Sequence, residues 1–246
     1  AHFRRAAGAE APNPRLHLLA ADARRHVKTT TQRYDIVIAD NFHPARSGSG
    51  SLYTVEHFDA VKRVLGEQGL FCQWLPLHQL DLDTLRSIVR SFVAVYPGAR
   101  AMLATNSLET PVLGLVAMGR GVDLARLHER LATTTLPQRL ADYGLADEYA
   151  LAGSFVAGPA ALQQFAGDAP LNTDDHPVVA YRAPRVTYAP DSLPRDRLLA
   201  LLQSVRITPE ELLAGPDPAS ALRLAAYWTA RDRFIEAGRD VRPDAD

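Results

Sequence analysis

The chain has 246 residues, 47% hydrophobic and 22% charged, which excludes a disordered or low-complexity protein and gives enough length to bury a sizeable core in one large or two small domains. Its 27 basic and 28 acidic side chains leave a formal charge of −1, which excludes an electrostatic pull toward nucleic acid or an anionic membrane surface. The single cysteine, Cys72, excludes an internal disulfide and fits a reducing compartment, so a cytoplasmic location is expected. No apolar run approaches the ~18 residues of a membrane span, and the opening AHFRRAAGAE has no apolar stretch that would make it a signal peptide.

In chain order, the first 120 residues alternate short apolar runs with helix-period segments, the pattern of βαβ units and a mostly parallel sheet. Leu16–Ala21 reads as a strand ending at Asp22, with ARRHVKTT behind it as a short helix. Tyr34–Asp40 (YDIVIAD) has the unbroken Ile/Val content of a parallel strand covered on both faces. NFHPARSGSGS is a loop, a helix spans about Thr54 to Val64, GEQG turns the chain, and Leu70–Leu75 is the next strand. Asp81 is placed as the N-cap of a helix whose apolar face carries Leu82, Leu85, Ile88, Val89, Phe92 and Val95, stopped by Pro97 and Gly98. RAMLAT and PVLGLVAM are expected to pair as an antiparallel hairpin.

Short helices are expected from 121 to about 170, followed by the irregular segment PLNTDDHPVVAYRAPR. Beyond Pro190 the chain reads as a helical tail, with Thr208, Pro209 and Glu210 forming a helix start. Trp228, Ala230, Phe234 and Ala237-Gly238 resemble one helix of a tetratricopeptide-type repeat, but one unit makes no array, and a tail packed on the core is the simpler expectation. The resulting division is 1–120 for the sheet region, 121–189 for a helical extension with its closing segment, and 190–246 for the tail.

Asp22 and Asp40 both follow expected parallel strands, and ligands of open α/β sheets bind outside the carboxyl ends of strands. Taken singly, each aspartate could as well cap the next helix or start a turn. In order, AADA, YDIVIAD, HPARSGSG, SLYTVEHF and GLFCQ are similar to the spermidine synthase-like polyamine aminopropyltransferases over roughly residues 15 to 97. PLNTDDHPVVAYRAPR resembles the segment that ends the core in long, often membrane-fused bacterial members of that family.

The resemblance implies an α/β fold, a Rossmann-like sheet of the S-adenosylmethionine-methyltransferase type, with a C-terminal helical tail. It implies aminopropyl transfer from decarboxylated S-adenosylmethionine, used as a co-substrate and not tightly bound, to a small amine, with a homodimer left open as an assembly. Asp40 would take the proton of the attacking amine and hold the developing cation. Asp22 would accept from the adenine amino group beside the amide of Ala23, while Tyr53 and Gln73 would orient the amine or the leaving methylthioadenosine.

Two departures qualify this transfer of function. The family pattern D-x-x-D-P here reads Asp40-Asn41-Phe42-His43-Pro44, so the amine-orienting position holds His43 where a second carboxylate is expected. No glycine-rich nucleotide loop occurs, and that loop, with its strands and any membrane helices of a longer protein, is expected upstream of Ala1. Two alternatives therefore stand beside aminopropyl transfer: methyl transfer from S-adenosylmethionine on the same scaffold, and a catalytically degenerate domain that binds a partner through its tail.

Other groups carry weaker signals. Asp174, Asp175 and His176 are expected to form a structural turn with no metal, since consecutive residues of an extended segment point in alternate directions. Cys72 reads as a buried, inert thiol, and Ser47–Ser51 as a flexible loop able to serve as a substrate lid.

Overall fold

A computed structural model describes residues 15–40, 43–105, 107–133 and 140–241. The opening AHFRRAAGAE segment and Asn41-Phe42 of the loop lie outside the described residues.

The elements run α1 (Ala23–Thr29), β1 (Tyr34–Ala39), a 3-10 helix (Ser49–Tyr53), α2 (Val55–Val64), β2 (Leu65–Pro76), α3 (Leu82–Val95), β3 (Arg100–Thr105) and β4 (Val112–Ala117). They continue with α4 (Leu124–Thr133), α5 (Glu148–Gly153), β5 (Phe155–Ala157), α6 (Pro159–Ala166), α7 (Val178–Tyr188), α8 (Pro194–Ser204), α9 (Pro209–Leu212) and α10 (Pro218–Gly238). The helix starts are set locally, as the side chains anticipate. Asp22 accepts from the amide of Arg25 at 2.7 Å, Thr54 from that of His57 at 3.3 Å, and Asp81 from that of Thr84 at 2.6 Å.

The five strands form one sheet in the order β1-β2-β4-β3-β5. It is mixed, not mostly parallel: β1 and β2 run parallel, while β2–β4, β3–β4 and β3–β5 are antiparallel. The expected β3–β4 hairpin is present, and β5, which sequence reading did not anticipate, extends it.

Leu16–Ala21 is not a strand. Leu16, Leu18 and Leu19 are exposed and pair with no strand among the described residues, in which β1 forms an edge of the sheet. The expectation that β1 is covered on both faces also fails: Ile36 and Ile38, which share one face of the strand, stay 61% and 60% exposed, whereas Val37 on the other face packs against the core. An apolar run reports that a strand can be buried; a layer must pack on each face before it is.

GEQG is not a turn ahead of β2 but a bulge within it. Tyr34 pairs with Leu65 and Ile36 with Leu70, so the extra residues of β2 loop out of register. Gly69 permits this, since a Cβ there would sit 3.0 Å from the carbonyl oxygen of Gly66.

The core lies between the sheet and α2, α3 and α6–α8. Leu85, Ile88, Val89 and Phe92 of α3 are fully buried, as the helical period predicts. Phe92 packs edge-on to Phe58 (centroids 5.0 Å apart) and stacks on Phe71 (5.5 Å), and the hydroxyl of Tyr96 donates to the carbonyl of Phe58. The segment VVAYRAPR, read as irregular, is helix α7, whose Val179 and Ala183 are fully buried. Burial of this face holds a helix that accommodates Pro184 internally.

The tail packs on the core. Leu198 and Leu201 of α8 and Ile235 of α10 join the main cluster, while Trp228 and Leu224 close a smaller one with Tyr149, Ala152, Leu212 and Leu213. Trp228 donates to the carbonyl of Ala152 at 3.2 Å, whereas Phe234 is 75% exposed, so the two repeat-like aromatics do not share a buried face. No helix of the described residues is long and apolar enough to cross a membrane.

Candidate active site at the carboxyl ends of β1 and β2

β1 and β2 run parallel with Ala39 opposite Gln73, so the chain leaves the sheet at Asp40 beside the Gln73 side chain. Gln73 is fully buried; its Nε2 donates to the carbonyls of Ala39 (3.4 Å) and Trp74 (3.2 Å), and its Oε1 has no hydrogen-bond partner among the described residues. The amide thus ties the end of β1 to β2 and keeps one acceptor uncommitted.

Asp40 is exposed, yet partial desolvation raises its carboxyl above the ordinary value. Tyr53, fully buried at the end of the 3-10 helix, has its phenol pushed upward first by burial and then by the charge of Asp40, so the two groups are electrostatic neighbours. Asp40, Tyr53 and Gln73, read from three separate motifs, therefore converge on one end of the sheet.

Asp22 and Ala23 stand apart from that convergence in kind. Both are exposed at the start of α1, and one oxygen of Asp22 is committed to capping the helix, the modest alternative that its position allowed. Their link to the rest runs through α1. Arg24 donates to both oxygens of Asp174, and Thr54, next to Tyr53, donates to the same carboxylate at 3.0 Å.

The NTDDH segment is thus structural, as expected, but it joins elements that sequence reading left separate. Asn172, fully buried, takes an amide bond from Val179 on its side-chain oxygen and donates from its side-chain nitrogen to the carbonyl of Gly50. Its own backbone amide donates to Ser91, and its carbonyl accepts from Val55. Ser47–Ser51 is consequently no free lid. Its second half is the 3-10 helix, pinned by Asn172 and by Gly50, where a Cβ would lie 2.9 Å from the backbone nitrogen of Ala180.

His43 is exposed, with Nδ1 3.4 Å from Nε2 of Gln79. The same amide nitrogen lies 3.1 Å from Nε2 of His78. His78 and Gln79 form the turn just beyond β2, a placement that only the sheet register reveals. Cys72 is buried in β2 and its thiol is pushed up to about 11 by desolvation, consistent with an inert group. No cluster of metal-ligating side chains occurs among the described residues. A cavity of about 770 Å³ lies at the opposite, amino ends of β1 and β2, lined in part by Arg33, Lys62 and Glu67, and so belongs to another face.

A parallel strand pair with a carboxylate at its carboxyl end, continued by antiparallel strands and covered by helices, makes this an α/β protein with a Rossmann-like, methyltransferase-type sheet. The same fold is seen in the crystal structure of a probable spermidine synthase from Corynebacterium glutamicum, which superposes with a TM-score of 0.50 over 70% of this chain and 59% of that one, at 20% identity. Residues 2–107 match the spermine/spermidine synthase domain, and over this region the chain is similar to that family. It is 30% identical over 135 residues to a polyamine aminopropyltransferase of Ruegeria sp., and 28% identical over 137 residues to polyamine aminopropyltransferase 1 of Pseudomonas aeruginosa. These alignments cover 55% and 56% of the chain and 46% of each relative, so the chain spans about half the length of the curated relatives it matches.

Proposed function

We propose that this chain supplies the amine-activating half of an aminopropyltransferase that takes its aminopropyl group from decarboxylated S-adenosylmethionine. The observation that carries the reading is the carboxylate of Asp40 where the chain leaves the carboxyl end of β1, next to Ala39, whose carbonyl is bound by the buried Gln73 of β2.

In the reaction, the lone pair of a neutral amine attacks the aminopropyl carbon bonded to the sulfonium. The carbon–sulfur bond breaks, its electron pair returns to sulfur, and neutral methylthioadenosine leaves. The amine enters as an ammonium and must lose a proton first, then carries a positive charge after attack. Asp40 accepts that proton and faces the developing cation. Tyr53 and the uncommitted Oε1 of Gln73 orient the amine or the leaving nucleoside. Asp22, with the amide of Ala23, receives the adenine. His43 borders the amine side.

The test is methylthioadenosine release by the full-length natural protein given decarboxylated S-adenosylmethionine and a panel of amines, with S-adenosylmethionine as the control donor. Release is expected, and Asp40→Asn should lower its rate by about 10²–10⁴-fold, the range of a positioned base. No release with any amine, or methyl transfer in the control, would overturn the reading.

A further inference from the structure

Resting on the aminopropyl-transfer reading, we propose that the amine acceptor carries a carboxylate at its far end, as an ω-amino acid does, in place of a second ammonium. The groups gathered around His43, three residues beyond Asp40 in the chain, are hydrogen-bond donors and one cation, Arg197. Gln79 Nε2 is a donor only, so His43 Nδ1 and His78 Nε2 accept from it, and the remaining protons sit on His43 Nε2 and His78 Nδ1. Nδ1 of His78 is buried without a hydrogen-bond partner among the described residues. Burial, with Arg197 and His43 nearby, keeps this imidazole neutral by lowering its proton affinity, so it stays a donor at Nδ1.

Arg197 of α8 reinforces the pattern. It is 3% exposed, and its guanidinium makes a long hydrogen bond, 3.4 Å from Nη2 to the carbonyl of His78. Its Nε and Nη1 are buried without hydrogen-bond partners among the described residues. A guanidinium withdrawn from water with donors unmet is costly. Asp81 and Asp191 act on it only through their charge, and Asp81 spends its oxygens on the amide of Thr84 and on Arg182. One unmet acceptor, Oε1 of Gln79, stands among these donors, and a lone neutral dipole matches an ammonium weakly. An anionic group beside His43 would find donors on His43, His78 and Arg197; a second ammonium there would find only the neutral Oε1 of Gln79 to accept from it.

The experiment compares three amines of equal carbon count with the full-length protein and decarboxylated S-adenosylmethionine: 4-aminobutanoate, butylamine and 1,4-diaminobutane. Methylthioadenosine release should favour 4-aminobutanoate over the diamine by about tenfold or more in kcat/KM, the ratio expected of one charge-assisted hydrogen bond gained. His43→Asp, an exposed substitution with little effect on folding, should move the preference toward the diamine by a similar factor. Equal rates, a diamine preference in the unaltered protein, or a preference untouched by His43→Asp would overturn the inference and leave aminopropyl transfer standing. Release with none of the three, nor with any other amine, would remove both.

Discussion

Both carboxylate oxygens of Asp174 lie 2.5 Å from Nη2 of Arg24, across 150 residues of sequence. Thr54 donates to the same carboxylate, and Lys28 stands 3.9 Å away, so Asp174 holds the start of α1 against the start of α2. Those two starts carry Asp22-Ala23 and Tyr53. The spatial relation between the residues assigned to the nucleoside and to the amine is therefore fixed by a residue of neither group.

Asp174→Asn should destabilise the protein by about 1 kcal/mol at neutral pH, a figure held down because the carboxylate is 37% exposed. Burial opposes the charge of Asp174, but hydrogen bonds from Arg24 and Thr54 together outweigh it and hold the carboxyl below its ordinary value. A depressed carboxyl contributes stability above its unfolded pKa, about 3.9, and loses that contribution as pH falls through the lower folded value. Urea titrations of the two proteins should accordingly differ at pH 7 and converge toward pH 3; a constant gap would contradict the ion-pair account.

His57 gives a pH signal of the same sign in a higher pH range. It is 3% exposed, its Nδ1 lacks a hydrogen-bond partner among the described residues, and burial, then Arg24 and Lys28, lower its pKa to about 4. The unfolded chain takes up this proton near pH 6.5, before the folded one does, so stability falls between about pH 6.5 and 4, by up to about 3 kcal/mol. His57→Gln should flatten that slope in chemical denaturation. A slope of the same steepness in the variant would place its origin elsewhere.

Asn172→Ala removes the side-chain partners of the Gly50 carbonyl and the Val179 amide, two buried groups. At about 1–3 kcal/mol for each orphaned group, a loss of about 2–6 kcal/mol is expected. The Tyr53 end of the 3-10 helix should loosen with it. Hydrogen exchange would register this as faster exchange over Ser49–Tyr53 than over α3; uniform change across both would show that the contact acts on global stability alone.

What could be read from sequence, and what could not, follows the range of the interactions. Asp22, Thr54 and Asp81 each accept from an amide three residues on, and the amide of Thr208 donates to Glu211 three residues on, so their helix starts were legible. The three-residue strand β5 and the bulge at GEQG depend on partners far along the chain, and neither has a local signature. Leu16–Ala21 has the composition of a strand, but no strand among the described residues pairs with it. For the site, the motifs located Asp40, Tyr53 and Gln73, whereas Asp174 is tied to Thr54 across 120 residues and Arg197 to His78 across 119. A single sequence carries no trace of pairings at that distance, and so Arg24, Asn172, His78 and Arg197 received no role from it.

The tail supplies the last prediction. If it were an appended binding module, removing the residues after Pro190 would leave a folded core and abolish only an interaction. Its packing argues otherwise: Leu198 and Leu201 of α8 and Ile235 of α10 are 0%, 2% and 2% exposed within the main core cluster, and Trp228 closes the second. Each such side chain contributes about 1.5–3 kcal/mol on burial, so losing four approaches the whole net stability of a domain, about 5–15 kcal/mol. A chain ending at Pro190 should therefore lose its cooperative thermal transition in circular dichroism and expose apolar surface to a hydrophobic dye. A sharp transition within a few degrees of that of the intact protein would show that the sheet folds without the tail, and would restore the reading of the tail as a separate interaction element.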